Sequence, residues 1–194
     1  LLHLWSEGET GFPFLDACMR SLNFNGWLNF RMRALLISFS SQHLWLHWRE
    51  PSLHLAGLFT DYEPGIHYSQ TQMQSGTTGI NTIRIYNPIK QGLDQDPTGT
   101  FVRQWVPELK NIDPDFIHTP WLSPSKPKGY PPPIVDEKTS RQKASKKLYA
   151  VKRKPEHKEI ATEVYIKHGS RKGKQTTRGT RISLKNKLQG ELNF

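Results

Sequence analysis

WSEGETGFPFLDACMRSLNFNGWLNFRMR, residues 5–33, carries two helix signals on either side of a stop. Thr10-Gly11-Phe12-Pro13 reads as a turn ending with proline at the first helical position, where a missing N–H costs nothing. FLDACMRSL, Phe14 to Leu22, then spaces its apolar residues for a buried helical stripe, and Asn25-Gly26 stops it. From Trp27 the run LNFRMRALLISFSSQ predicts a second helix. HLWLHWREPSLHLAGLFTDY predicts a third, with Pro51 at or near a break. These helices are apolar over broad faces, as inside a larger helical protein, and no sustained alternation calls for a sheet. Further on, Asp96-Pro97-Thr98-Gly99 has the residues of a type I turn. FVRQWVPEL after it predicts a short amphipathic helix closed near Pro107, and INTIRIYNP reads as extended loop. The expected fold class is all-α.

The chain has 194 residues, 35% hydrophobic and 11% aromatic, enough to bury the core of one ordinary domain. Charge is unevenly placed. Residues 1–122 hold 8 Lys and Arg against 11 Asp and Glu, net −3; residues 123–194 hold 19 against 6, net +13. All six Trp fall in the first part. The expected division is therefore an aromatic helical module over 1–122, a proline-rich extended connector over 123–133 (SPSKPKGYPPP), and a basic tail over 134–194. That tail is expected to be helical to 167 and disordered from 168. A single cysteine, Cys18, excludes an internal disulfide and fits a reducing, cytoplasmic setting. No apolar run reaches membrane-span length and no metal-ligand spacing occurs.

DYEPGIHYSQTQMQSGTTGINTIRIYNP, residues 61–88, is too polar for a core element and too uncharged for a solvated linker. It reads as a loop whose glycines admit a ligand close to the backbone and whose Gln, Thr and Asn suit a flat heteroaromatic edge. Arg31 and Arg33 lie two apart on the second helix, about 200° around it, so one should face out and one in. An inward Arg requires a carboxylate, and Asp61 and Glu63 are the nearest candidates. Trp45 and Trp48, three apart, should share a helical face, as core packing or as stepping stones for an electron. His3, His43, His47, His54 and His118 carry no pattern and read as structural.

Residues 5–33, followed by LHWRE, RIYNPIKQ, DPTGTFVRQWVPEL, HTPW and YPPPIVD, resemble in order and spacing the C-terminal half of the helical flavin-binding domain of DNA photolyases and cryptochromes. The resemblance runs from about Trp5 to about Asp136 and implies FAD as cofactor, with the 61–88 segment in the place that cradles the flavin. Arg33 and Asp61 match the pair beside the isoalloxazine. Glu63 stands where a second Asp contacts the flavin. His67 stands where photolyases place Asn near flavin N5, and a histidine there would titrate near neutral pH. Arg31 and Arg84 match residues that meet DNA phosphates around a flipped-out lesion. Trp48 matches the middle member of the electron-transfer tryptophan chain.

Departures from the pattern bear on activity. Asn29 and Phe30 replace the usual His-Asn, Thr71 replaces the flavin-proximal tryptophan, and Met73 replaces a tryptophan that flanks the lesion. The resemblance implies a monomeric, light-driven lyase acting on pyrimidine photoproducts in damaged DNA, single-stranded DNA included. The alternative is a blue-light receptor without repair activity. It also implies an N-terminal half of the same protein, carrying an antenna domain and the diphosphate and adenine contacts, without which these residues are expected to be inactive.

Overall fold

The computed structural model describes residues 1–78 and 81–168; the stretch beyond 168, expected to be disordered, lies outside the described residues. Among the described residues the structure is helical with no strand, and no helix is long and apolar enough to cross a membrane. The organising element is α2 (Pro13–Asn25), preceded by the short α1 (Leu2–Glu7). Proline occupies the N-terminus of α2, and Gly26 ends it in the left-handed conformation, as the sequence predicts. Phe14, Leu15, Ala17, Cys18, Met19 and Leu22 are all buried, so both sides of this helix meet neighbours.

Asp16, in the first turn of α2, reaches back to the preceding turn. Its carboxylate accepts from Thr10 N at 2.9 Å, Thr10 Oγ1 at 2.5 Å and Gly11 N at 2.9 Å. A fourth donor comes from the proline-rich segment: Tyr130 Oη at 2.5 Å. Gly11 has φ 80°, and a Cβ there would sit 2.3 Å from the Pro132 carbonyl oxygen. Only glycine lets the two backbones meet so closely. Residues 130–135 therefore form part of the packed body, with Ile134 N bonded to Thr10 O at 2.9 Å.

The second helix, α3 (Phe30–Ser38), is capped by Asn29, whose side chain accepts from Met32 N, and it runs on into one π-helical turn, Phe39–His43. The third is shorter than expected. α4 covers Arg49–Leu58, with Pro51 in its first turn just after the break, and residues 44–48 are non-helical. Trp45 sits in this link with φ 55°, and Trp48 caps α4, so the two do not share a helical face.

The larger correction falls on residues 61–88. Pro64–Ser75 is a helix, α5, three turns long, with Glu63 as N-cap, Pro64 at its first position and Gly76 as left-handed C-cap. After a non-helical stretch over 82–87, α6 (Pro88–Gln95) starts on an Asn87 cap. α7 (Thr100–Trp105) follows the expected turn, closed by Gly99 N to Asp96 O at 2.9 Å. A basic helix, α8 (Glu137–Lys152), and a mixed-charge one, α9 (Pro155–His168), end the described chain. The inner face of α8 packs through Ala144 against the π-turn.

Candidate cofactor-binding site

Helices α3 and α5 lie side by side, and α4 returns the chain between them. The space they leave is a cavity of about 170 Å³. Its back is fixed by Gln42 of the π-turn, whose Oε1 accepts from Ser38 Oγ at 2.7 Å while Nε2 donates to Gln74 O at 3.2 Å. The π-turn is what brings this amide round to α5, since an extra residue in one helical turn shifts the register of every side chain after it.

Arg33 forms one wall. Its Nε donates to Leu28 O at 2.7 Å, one Nη donates to Asp61 Oδ2 at 2.8 Å, and the guanidinium carbon lies 4.1 Å from the centroid of the Phe59 ring. Both bridge partners keep contact with water, 26% and 49% exposed, so the pair contributes about 1 kcal/mol or less to folding. Its value is positional. The guanidinium also holds the Asp61 carboxyl below the usual carboxylate range. Arg31, two residues away, is exposed, in line with the opposite-face argument.

Glu63 lines the same cavity, with Oε2 accepting from Ile66 N at 2.6 Å as the cap of α5. His67, one turn on, is buried, with Nε2 2.8 Å from Ser52 O and 3.0 Å from Ser52 Oγ. A carbonyl can only accept, so Nε2 carries the proton and Nδ1 is the bare nitrogen of the neutral ring. Burial pushes the His67 pKa below its ordinary value, and the nearby Arg33 charge acts the same way, against the Ser52 hydrogen bond. Burial thus favours the neutral ring of His67 over the charged one. Thr71, also buried, extends the polar chain by a 3.0 Å contact between its Oγ1 and Ser52 Oγ.

The lining also includes residues that the sequence reading does not name as ligand contacts, among them Phe30, Phe59, Tyr62, Gln70 and Gln74. With His67 and Thr71, Gln70 and Gln74 follow the spacing i, i+3, i+4, i+7, one face of a helix. That signal was present in the sequence and is lost when the segment is read as loop. Phe30 and Tyr62 are exposed aromatics at the rim. Trp48, Met73, Arg31 and Arg84 do not line the cavity: Trp48 and Met73 are half-buried, and Arg84 is exposed on the 82–87 stretch.

The lining is suited to part of a flavin. Gln70 Oε1 is buried without a hydrogen-bond partner, an acceptor that an N–H on a heteroaromatic edge would satisfy. Arg33 supplies a cation, and Phe59 and Tyr62 supply apolar ring surface. Pockets that enclose drug-sized ligands start near ~300 Å³, so this cavity takes one side of a ring system rather than a whole dinucleotide.

A family model described as the FAD binding domain of DNA photolyase matches residues 1–150. The chain belongs to this family. It is 37% identical over 142 residues to the deoxyribodipyrimidine photo-lyase of Vibrio cholerae, covering 72% of this chain and 30% of that protein. The cryptochrome DASH of Synechocystis is also 37% identical, over 61% of this chain and 24% of its own length. Among solved structures, an archaeal photolyase from Sulfolobus tokodaii with two FAD molecules superposes with TM-score 0.71 at 36% identity, over 76% of this chain and 34% of that one. The chain thus spans about a third of the length of the curated relatives it matches.

Proposed function

We propose that this chain forms the isoalloxazine-side wall of the FAD site in a photolyase-type protein that repairs pyrimidine photoproducts in DNA. The observation that carries the reading is the Arg33–Asp61 bridge at the rim of a cavity lined by His67 and an unpartnered Gln70 acceptor. FAD, when bound, supplies the light absorption and the electron exchanged with the damaged base. The chain's own residues position and insulate. Arg33, fixed by Leu28 O, Asp61 and Phe59, presents a cation that need not reorganise when the ligand arrives. His67, anchored through Nε2–H, offers its bare Nδ1 as a fixed acceptor, and burial favours that neutral form. Glu63 holds the N-terminus of α5 and so the register of His67, Gln70 and Gln74. The remainder of the dinucleotide is held, in this reading, by segments beyond the third of the relatives' length covered here.

Outside the cavity, Arg31 and Arg84 are exposed cations suited to DNA phosphates, contacts that add affinity without reading sequence. In this reading, as the resemblance implies, Met73 flanks an extruded base and Trp48 passes an electron toward the surface. A photoreceptor without repair activity is the second reading. What favours it is Thr71, which lines the cavity and bonds Ser52 where the resemblance calls for an electron-relaying tryptophan. Illumination of the reduced, flavin-loaded protein with dimer-containing single- and double-stranded DNA separates the two. Restored thymines support repair; a retained photocycle with no restored base on either substrate overturns it in favour of the receptor.

A further inference from the structure

Helix α8 has no role in the cavity just described, yet its charges are sorted. At 100° per residue, Lys138, Lys143, Lys146 and Lys147 fall within one half of the helix circumference, over about 14 Å of axis, and Arg153 and Lys154 follow just past its C-terminus. No acidic residue of the helix itself shares that arc, though its N-cap, Asp136, is exposed at one end. The one carboxylate of the helix, Glu137, is turned inward, where it pairs with Arg141 at 2.8 Å and lies 3.7 Å from His43. All six cations are exposed.

Beside this stripe stands Trp45, the one non-glycine residue with positive φ among the described residues. A bulky residue at φ 55° costs on the order of 1–3 kcal/mol and persists where its surroundings over-determine it. Here the π-turn does so, with Leu44 N bonded to Phe39 O at 3.1 Å and Leu46 N to Ser40 O at 3.0 Å on either side. The result is an indole 47% exposed, with Lys147 Nζ 4.4 Å from its centroid. A half-exposed indole with Lys147 over one face and further cations alongside is suited to a single strand of nucleic acid: phosphates track the charges and an unpaired base stacks on the ring. A duplex keeps its bases stacked internally and gains nothing from Trp45. A membrane surface would ask for an apolar face, and along this arc Tyr149 is the one large apolar side chain.

The far end of the helix touches the other DNA element. Lys152 Nζ donates to Asn81 O at 2.9 Å, tying the C-terminal turn of α8 to the segment that carries Arg84. We propose that the outer face of α8 together with Trp45 is a second nucleic-acid site, which holds an undamaged single-stranded stretch. The proposal rests on nucleic acid being the chain's partner, as in the preceding reading, and is independent of repair and of flavin.

Anisotropy of a labelled, undamaged oligo-dT against the full chain, measured across a salt series, tests it. Single strands give a slope of about −0.7 per phosphate neutralised, so K143Q/K146Q/K147Q should shallow the log–log slope by about 2. The single variants K143Q and K146Q, each worth about 0.7, give the same reading should the triple variant lose helix by circular dichroism. Trp45→Asn, a residue that tolerates left-handed backbone, should weaken binding about tenfold and leave the slope unchanged. Unchanged slopes in the lysine variants overturn the proposal. So does a triple variant that loses affinity for vesicles of phosphatidylserine and phosphatidylcholine while its oligo-dT binding is unaltered. Oligo-dT binding that depends on the stripe in a protein that repairs nothing would leave this site standing and remove the repair reading alone.

Discussion

Tyr130 donates its phenolic hydrogen to Asp16 Oδ2 at 2.5 Å, joining residues 114 positions apart in the middle of the core. The contact converts a proline-rich segment into a strap across α2. Burial raises the Asp16 pKa to about 6, against the opposing effect of hydrogen bonds from Thr10, Tyr130 and Gly11. A carboxyl with a raised folded pKa binds a proton that the unfolded chain has already lost. Its contribution is therefore greatest below about 4 and is lost as pH rises through about 6. Tyr130→Phe removes one of four donors to a carboxylate and should cost about 2 kcal/mol at pH 7 by urea unfolding, with a smaller loss at pH 5, where the carboxyl is protonated.

His43 predicts the opposite pH dependence. Its ring stacks on Phe39 at 5.0 Å, both ring nitrogens are buried without a hydrogen-bond partner, and Glu137 is 3.7 Å away. Burial lowers its pKa to about 4. Stability from this group is complete above 6.5 and lost as pH falls toward 4, opposing Asp16 in the window they share. His43→Phe keeps the stack and deletes the orphaned nitrogens. It should raise stability by about 1 kcal/mol at pH 7 and leave a profile that climbs as pH drops from 6 to 4. A less stable variant with an unaltered profile would show that His43 is hydrogen-bonded after all.

For His67, burial and the Arg33 charge predict a midpoint below 6.5 when the imidazole Cε1–H shift is followed by proton NMR. Arg33→Gln removes one of the two lowering influences and should move the midpoint upward; a midpoint that stays put would separate the two side chains electrostatically.

Met73 offers a gain-of-function test of the DNA face. Base–aromatic stacking is worth about 1–3 kcal/mol, so Met73→Trp should tighten binding to dimer-containing DNA roughly tenfold over wild type, with little change on undamaged DNA. Equal effects on both substrates would place residue 73 away from the lesion.

Helix α2 was legible because its limits, Pro13 and Gly26, are local; α3 was legible as an apolar run, though it starts on the Asn29 cap rather than at Trp27. The Arg33–Asp61 partnership was legible in outline too, since two arginines 200° apart on an apolar helix leave one in need of a carboxylate. Helix α5 was not. Its Gln, Ser and Thr lack the apolar stripe that periodicity detects, and its real signals are the Glu63 cap, Pro64 and Gly76 at its ends. α6 hid in the same way behind Asn87-Pro88. The π-turn that places Gln42, and the Tyr130 strap, depend on contacts far apart in sequence, which no local pattern encodes.

The central claim is that the Arg33–Asp61 wall faces a flavin ring. Amide NMR of this 22.4 kDa chain, titrated with FAD, tests it directly. The account predicts shifts confined to residues around Arg33, Asp61, His67, Gln70 and Gln74, and their loss in Asp61→Asn while the rest of the spectrum is preserved. Shifts centred elsewhere, or an Asp61→Asn spectrum that responds to FAD as wild type does, would contradict it.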